Sequence, residues 1–334
     1  MAKIVRLLPI MSLLLSGCGN GIHHNEEDYI TKIDYKNDFR LLVMGDIHLG
    51  NKDDLDHYFK FMDLTIDESN ADLMIFNGDL FTFGDEATLK ALFTYFDSKN
   101  IPWGVTYGNH DEQCFFTADY MSKYADSFEN CVFKYNPDDD VYGYSNYCVN
   151  LVDGNETKFS IYCLDSNRYR YSPYIGYDYI HKDQIDWYER MVKYNGGSSV
   201  KSFACYHIPV PEFSTAWDYA NDGSGKATIV PDTNGKVGEK REKVCSPKEN
   251  SGFFAKEVEL KSTIGNICSH DHINNFAVNY QDITLIYSVN STGRIYGNPE
   301  IRGGTVVTIK NGESIEYTNI YHSESELTDE GGAK

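Results

Sequence analysis

The sequence predicts a single layered α/β sandwich over most of its 334 residues. From residue 39 onward, short apolar runs alternate with amphipathic segments, an order that implies parallel strands with helices packed on the sheet faces. The part of the chain after residue 146 is richer in strand-like segments. Hydrophobic residues make up 41% of the chain, which is enough for one large domain or two small ones, and we find no internal repeat.

The first half of this region follows a β-α-β-α-β order. Continuous apolar runs are typical of buried strands, and apolar residues at the spacing of one helix face indicate the helices between them. The predicted strands are 40–45, 72–77 and 101–107, and the predicted helices are 53–70 and 85–99.

The second half contains one predicted helix, 181–194, and several strands. The first two strands, 147–152 and 158–164, are expected to pair across the turn at Asp153-Gly154-Asn155. The remaining predicted strands are 201–206, 264–268, 276–280, 283–287, 305–310 and 314–320. The Gly-rich, polar segment 216–251 is expected to be a loop or lid rather than core.

The amino-terminal residues have the pattern of a targeting segment. Lys3 and Arg6 precede an apolar run, 7–15, that is too short to span a bilayer but suits a signal peptide. The run ends in Leu-Ser-Gly-Cys and resembles a bacterial lipobox, which implies cleavage before Cys18 and acylation of that residue. An uncleaved anchor or an ordinary secretory signal is the alternative, and in each case the protein works outside the cytoplasm.

These observations predict four segments and a location. We expect a signal peptide at 1–17, a lipid-anchored flexible tether at 18–38, one folded domain at 39–322 and a polar tail at 323–334. The expected location is extracytoplasmic, with the protein attached to the bacterial cell membrane through lipid at Cys18.

The charge balance restricts the class of ligand. Lys and Arg number 30 against 50 Asp and Glu, which gives a formal net charge of −20. Such a surface repels polyanions and argues against nucleic acid as a partner. A locally positive site built on metal ions remains compatible with this balance.

Seven cysteines follow Cys18, and no two of them form a CxxC pair. This pattern argues against a disulfide framework or a structural zinc site. Four of the seven fall in apolar strand-like runs and are expected to be small buried hydrophobic residues. A disulfide among Cys114, Cys131 and Cys245 stays an open alternative.

Polar side chains with metal-binding chemistry follow five predicted strands, at the point where each strand ends. Open α/β sheets bind ligands at the carboxyl ends of their strands, so these side chains are expected to share one rim. In chain order they are Asp46, His48, Asp79, Asn109, His110, Asp111, His207, His270 and His272.

The types of side chain in this set indicate a two-metal site. Imidazole mixed with carboxylate oxygen suits zinc, iron or manganese rather than calcium. Two Asp, one Asn and four His are too many ligands for one tetrahedral zinc, but they suit two ions that share a bridging carboxylate. The excess positive charge of two such ions would attract a phosphate group.

The order of these motifs, DxH, GD, GNHD, a lone His and HxH, resembles that of the calcineurin-like metallophosphoesterases over residues 39–320. The segments HIPVPE (207–212), NSGFF (250–254) and SHDHINNF resemble a branch of purple-acid-phosphatase-like proteins. The resemblance implies a four-layer α/β/β/α sandwich with mixed sheets and a dinuclear metal site at the carboxyl ends of the strands.

The resemblance also implies a role for each site residue. One ion of Mn, Fe or Zn would be held by Asp46, His48 and His272, the other by Asn109, His207 and His270, with Asp79 bridging the two. His110 would be the general acid that protonates the leaving oxygen, and Asp111 would orient His110 or the adjacent loop. The nucleophile would be a metal-bridging hydroxide, with no covalent enzyme intermediate.

Two residues depart from the family pattern. Ser269 stands where the family usually has Gly. No tyrosine follows Asp79 at the position that ligates ferric iron in purple acid phosphatases, so a purple iron–tyrosinate enzyme is not expected.

The predicted function is hydrolysis of phosphomonoesters or small phosphodiesters by a monomer. One alternative is an extracytoplasmic metal-binding lipoprotein that feeds an importer, and another is a catalytically silent, surface-binding relative. The Tyr-rich segment 168–179 has two possible interpretations, a wall of the substrate cleft or a packed surface loop.

Overall fold

Two mixed β-sheets face each other, and helices cover their outer surfaces. The computed structural model describes residues 4–5, 25–135, 140–172 and 175–329. In chain order the strands are β1 (Ile4–Val5), β2 (Ile30–Asp34), β3 (Phe39–Met44), β4 (Leu73–Asn77), β5 (Trp103–Thr106), β6 (Tyr147–Asp153), β7 (Glu156–Cys163), β8 (Tyr169–Arg170), β9 (Gly176–Tyr177), β10 (Lys201–Cys205), β11 (Ala227–Ile229), β12 (Thr263–Cys268), β13 (Ala277–Tyr280), β14 (Ile283–Tyr287), β15 (Gly303–Lys310) and β16 (Ser314–Tyr321). The α-helices are α1 (Leu55–Ser69), α2 (Glu86–Ser98), α3 (Ala118–Asp126), α4 (Lys182–Tyr194), α5 (Glu212–Asn221), α6 (Phe253–Leu260) and α7 (Glu326–Asp329).

The smaller sheet contains the first three predicted strands. Its order is β16-β15-β3-β4-β5, and β3, β4 and β5 run parallel to one another, as the β-α-β-α-β pattern predicts. The sheet is mixed because β15 runs antiparallel to both β3 and β16. The carboxyl ends of β3, β4 and β5 therefore meet at one edge of this sheet.

The larger sheet has the order β1-β2-β6-β7-β10-β12-β14-β13-β11. The predicted β6–β7 hairpin is antiparallel, while β7, β10, β12 and β14 form a parallel run. Since β10 and β12 are neighbours in that run, the residues that follow them leave the sheet side by side.

The apolar side chains divide into a layer between the sheets and a layer beneath the outer helices. Along β10, Phe203 and Cys205 lie in the cluster that includes the smaller sheet, while Ala204 lies with Trp187 and Met191 of α4. This alternation buries β10 on both faces, as expected for a central strand of a four-layer sandwich. The predicted fold is confirmed.

The prediction of a flexible tether at 18–38 is wrong for its second half. Residues Glu26–Tyr29 form a 3₁₀ turn, and β2 pairs in parallel with β6 at the sheet edge. Ile30 and Ile33 are buried, and the polar composition comes from exposed neighbours. Apart from β1, residues 1–24 lie outside the described residues, and with them the apolar run 7–15 and Cys18.

The segment 216–251 is not wholly the loop that its composition predicts. It includes most of α5, which buries Phe213 and Ala216, and the edge strand β11, which pairs with β13. The predicted polar tail begins with ordered chain, since Glu324 pairs with Arg302 at 2.8 Å before α7. Residues 330–334 lie outside the described residues.

The seven cysteines after Cys18 all lie within the described residues, and none of them forms a disulfide. The four predicted to be buried are buried, and Cys114, Cys131 and Cys245 form no disulfide with one another. Within the described part of the chain, we find no helix with the length and hydropathy needed to cross a membrane.

Candidate metal centre

The predicted site residues converge where the two sheets meet. Those that follow β3, β4 and β5 come from the smaller sheet, and those that follow β10 and β12 come from the larger one. All of them except the half-buried His110 are buried, each at most 8% exposed: Asp46, His48, Asp79, Asn109, Asp111, His207, His270 and His272.

The first cluster contains Asp46, His48 and His272, whose ligand atoms all lie within 4.8 Å of one another. The Nε2 atom of His272 is 3.4 Å from Oδ1 of Asp46 and 3.1 Å from Nε2 of His48. Two imidazole nitrogens and a carboxylate oxygen that face one point are suitable ligands for a transition-metal ion.

The second cluster contains Asp79, His207 and His270, with ligand atoms inside the same 4.8 Å limit. Nε2 of His207 lies 3.2 Å from Oδ2 of Asp79, and the same carboxylate oxygen lies 3.7 Å from Nε2 of His48 in the first cluster. Asp79 therefore stands between the two clusters, the position that a bridging ligand requires.

Hydrogen bonds fix which ring nitrogen of three histidines is available. Nδ1 of His48 lies 2.8 Å from the Thr82 hydroxyl, Nδ1 of His207 2.9 Å from the Asn77 carbonyl oxygen, and Nδ1 of His272 2.8 Å from the Tyr296 carbonyl oxygen. Such contacts orient the rings of metal-binding histidines and leave Nε2 for the metal. Here all three Nε2 atoms turn toward the clusters.

Three of the predicted ligands have buried polar atoms without a hydrogen-bond partner among the described residues. These atoms are Oδ1 of Asn109, Nε2 of His207 and both ring nitrogens of His270. Buried polar atoms are nearly always paired, since leaving them unpaired costs free energy. Metal ions would satisfy Oδ1 of Asn109, Nε2 of His207 and one ring nitrogen of His270, so the residues present fit the two-ion centre that the family implies.

The backbone of the site is held in an unusual conformation. Asp46, His48, Asp79 and His270 have positive φ angles of 58°, 57°, 51° and 76°. Non-glycine residues in this region are strained, and they cluster at functional sites where the surroundings compensate. The glycine at position 108 allows the backbone after β5 to lie against the Asp79 carboxylate, because a Cβ atom there would lie 2.3 Å from Oδ1 of Asp79.

The charges of the site groups are strongly coupled. Burial disfavours a charged His207, but the Asp79 and Asp46 carboxylates outweigh this effect and raise its pKa to about 10. Burial, together with the nearby His207, lowers the pKa of His270 to about 3, and burial lowers that of His48 to about 4. At neutral pH the neutral rings of His48 and His270 are ready to bind a metal, whereas His207 must first lose a proton.

His110 lies beside the clusters rather than within them. Its backbone N–H donates to Oδ1 of Asp79 at 2.8 Å, and its ring stands 5.2 Å from that of His48. Nδ1 of His110 donates to the Gln113 side-chain oxygen at 2.8 Å. Nε2 is left as the ring nitrogen that can exchange a proton with a bound molecule.

Asp111 contacts the adjoining loops. Its carboxylate accepts backbone N–H bonds from Gly108, Asp79, Leu80 and Phe81 at 2.7–3.0 Å. Burial and the neighbouring Asp79 raise the pKa of Asp111 to about 7. Asp111 is expected to orient either His110 or the adjacent loop. Its hydrogen bonds go to the backbone of the loops, and the ring of His110 is held by Gln113 instead.

Several residues that contact the site histidines are not among those predicted from the sequence. Gln113, Thr82 and Tyr296 hold histidine rings, and they lie outside the motif positions. The Tyr-rich segment was a usable signal, because Tyr169 accepts a hydrogen bond from Asn109 and the ring of Tyr177 packs 4.5 Å from that of His270.

The departure at Ser269 is accommodated by its neighbours. The buried Ser269 hydroxyl accepts a hydrogen bond from the Asn77 side chain at 3.0 Å, and a Cβ at Gly45 would lie 2.4 Å from that hydroxyl. The serine therefore fills space against a glycine on the opposite sheet, and both His270 and His272 keep their positions.

Two mixed sheets with helices outside them and two adjoining His/Asp clusters at the strand ends define the class of the metallophosphoesterases. Residues 39–230 match the family model described as calcineurin-like phosphoesterase, so the chain belongs to the calcineurin-like phosphoesterase family. The family predicted from the motifs is confirmed.

The chain is similar to two curated proteins named as phosphatases. It is 29% identical over 264 residues to Probable inactive purple acid phosphatase 14 of Arabidopsis thaliana, covering 71% of this chain and 62% of the relative. It is 27% identical over 273 residues to Phosphatase DCR2 of Saccharomyces cerevisiae, covering 72% of this chain and 45% of the relative. The matched region is thus less than two thirds of each relative. Distant purple-acid-phosphatase-like homologues are confirmed.

Among solved structures, the fold is similar to a dimetal phosphatase from Danio rerio. The TM-score is 0.56 at 10% sequence identity, and the match covers 85% of this chain and 96% of the other. This similarity shows the shared fold.

Proposed function

We propose that the protein is a two-metal phosphoesterase that hydrolyses phosphomonoesters or small phosphodiesters. The observation that carries this proposal is a complete ligand set in two adjoining clusters, with the ring of His110 next to them and part of neither. A protein that only stores or carries metal has no use for such a histidine.

The chain would hold one ion with Asp46, His48 and His272 and the other with Asn109, His207 and His270, and Asp79 would contact both. Two such ions would polarise the phosphoryl group and lower the pKa of a water molecule that attacks it. The two aspartates balance only half of the charge of two divalent ions, which favours an anionic ligand.

His110 would supply the proton that the leaving oxygen needs. The Gln113 amide holds Nδ1–H in both the neutral and the charged ring, so the proton is exchanged at Nε2. The short backbone bond to Asp79 fixes His110 relative to the metal-binding carboxylate. Such a fixed donor is typical of general acid catalysis, which contributes roughly 100- to 10,000-fold in rate.

The substrate is proposed to be small, and the protein to act as a monomer. The net charge of −20 opposes binding of extended polyanions, whereas the metal centre attracts a single phosphate group. Strands β8 and β9 pair as an antiparallel hairpin, and their half-buried Tyr169 and Tyr177 lie next to Asn109 and His270. These contacts support a role for the β8–β9 hairpin as one wall of the cleft.

A catalytically silent, surface-binding protein is the second candidate. The name of the Arabidopsis relative, Probable inactive purple acid phosphatase 14, favours it. The complete ligand set argues against it, because none of the seven proposed ligand positions is lost in this chain. A metal-binding protein that feeds an importer would also keep the ligands, but it would not need His110.

Attachment to the outside of the bacterial membrane is a separate proposal, supported by the apolar run 7–15 and the Leu-Ser-Gly-Cys sequence. Cys18→Ser should then release the protein from the membrane fraction or leave an uncleaved precursor. An unmodified mature terminus beyond residue 18, measured by mass spectrometry, would show simple secretion instead.

The decisive experiment combines metal analysis with hydrolysis assays. Protein reconstituted separately with Mn, Fe and Zn should hold two ions per chain and hydrolyse at least one member of a panel of aryl phosphates, nucleotides and sugar phosphates. Two bound ions without turnover on any substrate would favour the silent or metal-carrying candidates. One ion at most would exclude the dinuclear centre.

A further inference from the structure

The hairpin formed by β8 and β9 places a tyrosine hydroxyl directly on a proposed metal ligand. The Nδ2–H of Asn109 donates to the hydroxyl oxygen of Tyr169 at 2.8 Å. Among the described residues, this is the hydrogen bond that the Asn109 side chain makes. The other terminal atom of the amide, Oδ1, is buried and has no partner among them.

An asparagine ligand has an orientation problem that a carboxylate does not have. Its two terminal atoms have nearly the same shape, yet only Oδ1 has the lone pairs to bind a metal, while Nδ2 is a donor. A half-turn about the last side-chain bond would present the wrong atom to the site. A hydrogen bond to Nδ2 would hold the orientation in which Oδ1 faces the metal.

We propose that Tyr169 is the positioning residue that holds Asn109 in its metal-binding orientation. The phenol oxygen accepts the Nδ2–H, which leaves Oδ1 as the amide atom available to the second ion. The inference rests on the two-ion centre of the proposed function.

The surroundings hold both partners of this contact in place. Asn109 lies between Gly108 and His110, and both of these residues abut Asp79 of the second cluster. The ring of Tyr169 stacks at 5.6 Å on that of Tyr177, whose edge in turn packs on His270 of the same cluster at 4.5 Å. The hairpin is therefore fixed against the second cluster from two sides.

The test measures metal binding to the Tyr169→Phe variant. Protein stripped of metal is titrated with Zn or Mn, and the binding is recorded by titration calorimetry. Removing a group that orients a metal ligand typically costs about 10- to 100-fold in metal affinity. We expect that loss in one of the two binding steps and a wild-type value in the other. Tyr171→Phe, which alters an exposed residue on the same segment, is the matched control and should bind both ions as the wild type does.

A double-variant cycle separates orientation from general loosening of the loop. The carboxylate of an Asn109→Asp variant has two equivalent oxygens, so it needs no orienting partner. If Tyr169 acts only by orientation, Tyr169→Phe should then cause no further loss of metal affinity in that background. An equal loss in both backgrounds would overturn the proposal, as would a Tyr169→Phe protein that binds both ions with wild-type affinity.

These outcomes remain distinguishable from failure of the proposed function. A wild-type protein that takes up one ion at most contradicts the dinuclear centre itself. A wild-type protein that binds two ions but hydrolyses nothing contradicts the enzyme proposal and still allows the calorimetric test of Tyr169.

Discussion

At the residue scale, His110 is the side chain that separates catalysis from metal binding. We predict that His110→Ala keeps both ions and the fold but lowers kcat by roughly 100- to 10,000-fold, since it removes a proton donor and no ligand. Steady-state kinetics with metal analysis of the same samples measures both effects. The loss should be smaller for aryl phosphates with very good leaving groups, which need little protonation.

Gln113→Ala provides the graded companion to that variant, because it removes the oxygen that holds Nδ1 of His110 and leaves the imidazole in place. Its kcat should lie between those of the wild type and His110→Ala. Full activity of His110→Ala on a poor leaving group would exclude the acid role.

The residues of the two clusters are the ones whose position the sequence predicts best, because each follows a buried strand within a short motif and needs only that strand end to be placed. Gln113, Thr82 and Tyr169 could not be assigned the same way. Their roles depend on which ring or amide a loop reaches after folding, and side chains of these types are common on loops of every kind.

At the scale of elements, Asp111 joins the loop after β5 to the loop after β4. Its carboxylate satisfies four buried backbone N–H groups, three of them on residues 79–81. An unsatisfied buried donor costs roughly 1–3 kcal/mol, so we predict that Asp111→Ala lowers the free energy of unfolding by about 4 kcal/mol. Metal content should fall as well, because Asp79 and Asn109 lie on these two loops.

Asp111→Asn is the matched variant, since its one remaining acceptor oxygen should preserve part of the stability. Chemical denaturation of the wild type and both variants gives the comparison. Wild-type stability of Asp111→Ala would show that the carboxylate does not hold the loops together.

A second element-scale prediction concerns Glu257, which joins α6 to β12 by accepting a hydrogen bond from Asn266 at 2.8 Å. Glu257 is fully buried, and burial raises its pKa well above the ordinary value. The folded chain therefore holds a proton that the unfolded chain releases above pH about 4.5, so stability falls as pH rises from there toward the folded pKa. Glu257→Gln should remove this loss.

The free energy of unfolding of Glu257→Gln should exceed that of the wild type by an amount that is near zero at pH 4.5. This difference should grow by about 1.4 kcal/mol per pH unit until the pKa of Glu257 in the folded protein is reached. Urea denaturation between pH 5 and 8 measures it. Glu259→Gln on the exposed side of the same helix is the control and should follow the wild-type pH profile. Parallel profiles for wild type and Glu257→Gln would contradict a neutral Glu257.

Hydrophobic periodicity predicted the central strands and the helices α1, α2 and α4, because those elements bury whole faces. Among the elements that it missed are β2, α3, α5 and β11. The strands β2 and β11 lie toward the edges of the larger sheet, and α5 packs beside β11. Such peripheral elements bury few apolar side chains, Ile30 and Ile33 in the case of β2, and their composition is close to that of a loop.

At the scale of the whole molecule, each metal cluster draws ligands from both sheets. Asp46 and His48 follow β3 of the smaller sheet, and His272 follows β12 of the larger one; in the second cluster, Asp79 follows β4 while His207 and His270 follow β10 and β12. Bound ions would therefore link the two layers of the sandwich as well as serve the reaction. Stability and metal content are coupled in such an arrangement.

We predict that chelation lowers Tm and that the difference between metal-loaded and metal-stripped protein grows as pH rises from 6 to 9. In the stripped protein the pKa of His207 is raised to about 10 by its carboxylate neighbours, above the ordinary value of about 6.5. The stabilisation from this charged ring is complete below pH 6.5 and is lost as pH approaches 10. The metal-loaded protein needs the neutral ring, so rising pH favours metal binding instead.

Differential scanning calorimetry across this pH range, with and without chelator, measures the effect. A free metal concentration of 100 times the dissociation constant of one site stabilises the folded state by about 2.7 kcal/mol, which is enough to raise Tm by several degrees. In His207→Ala the charged ring is absent, so the Tm difference between metal-loaded and metal-stripped protein should depend less on pH. The control His181→Ala removes a histidine that pairs with Asp178 outside the clusters, and it should show the same pH dependence as the wild type. A Tm that does not respond to chelation at any pH would show that the ions do not hold the two sheets together.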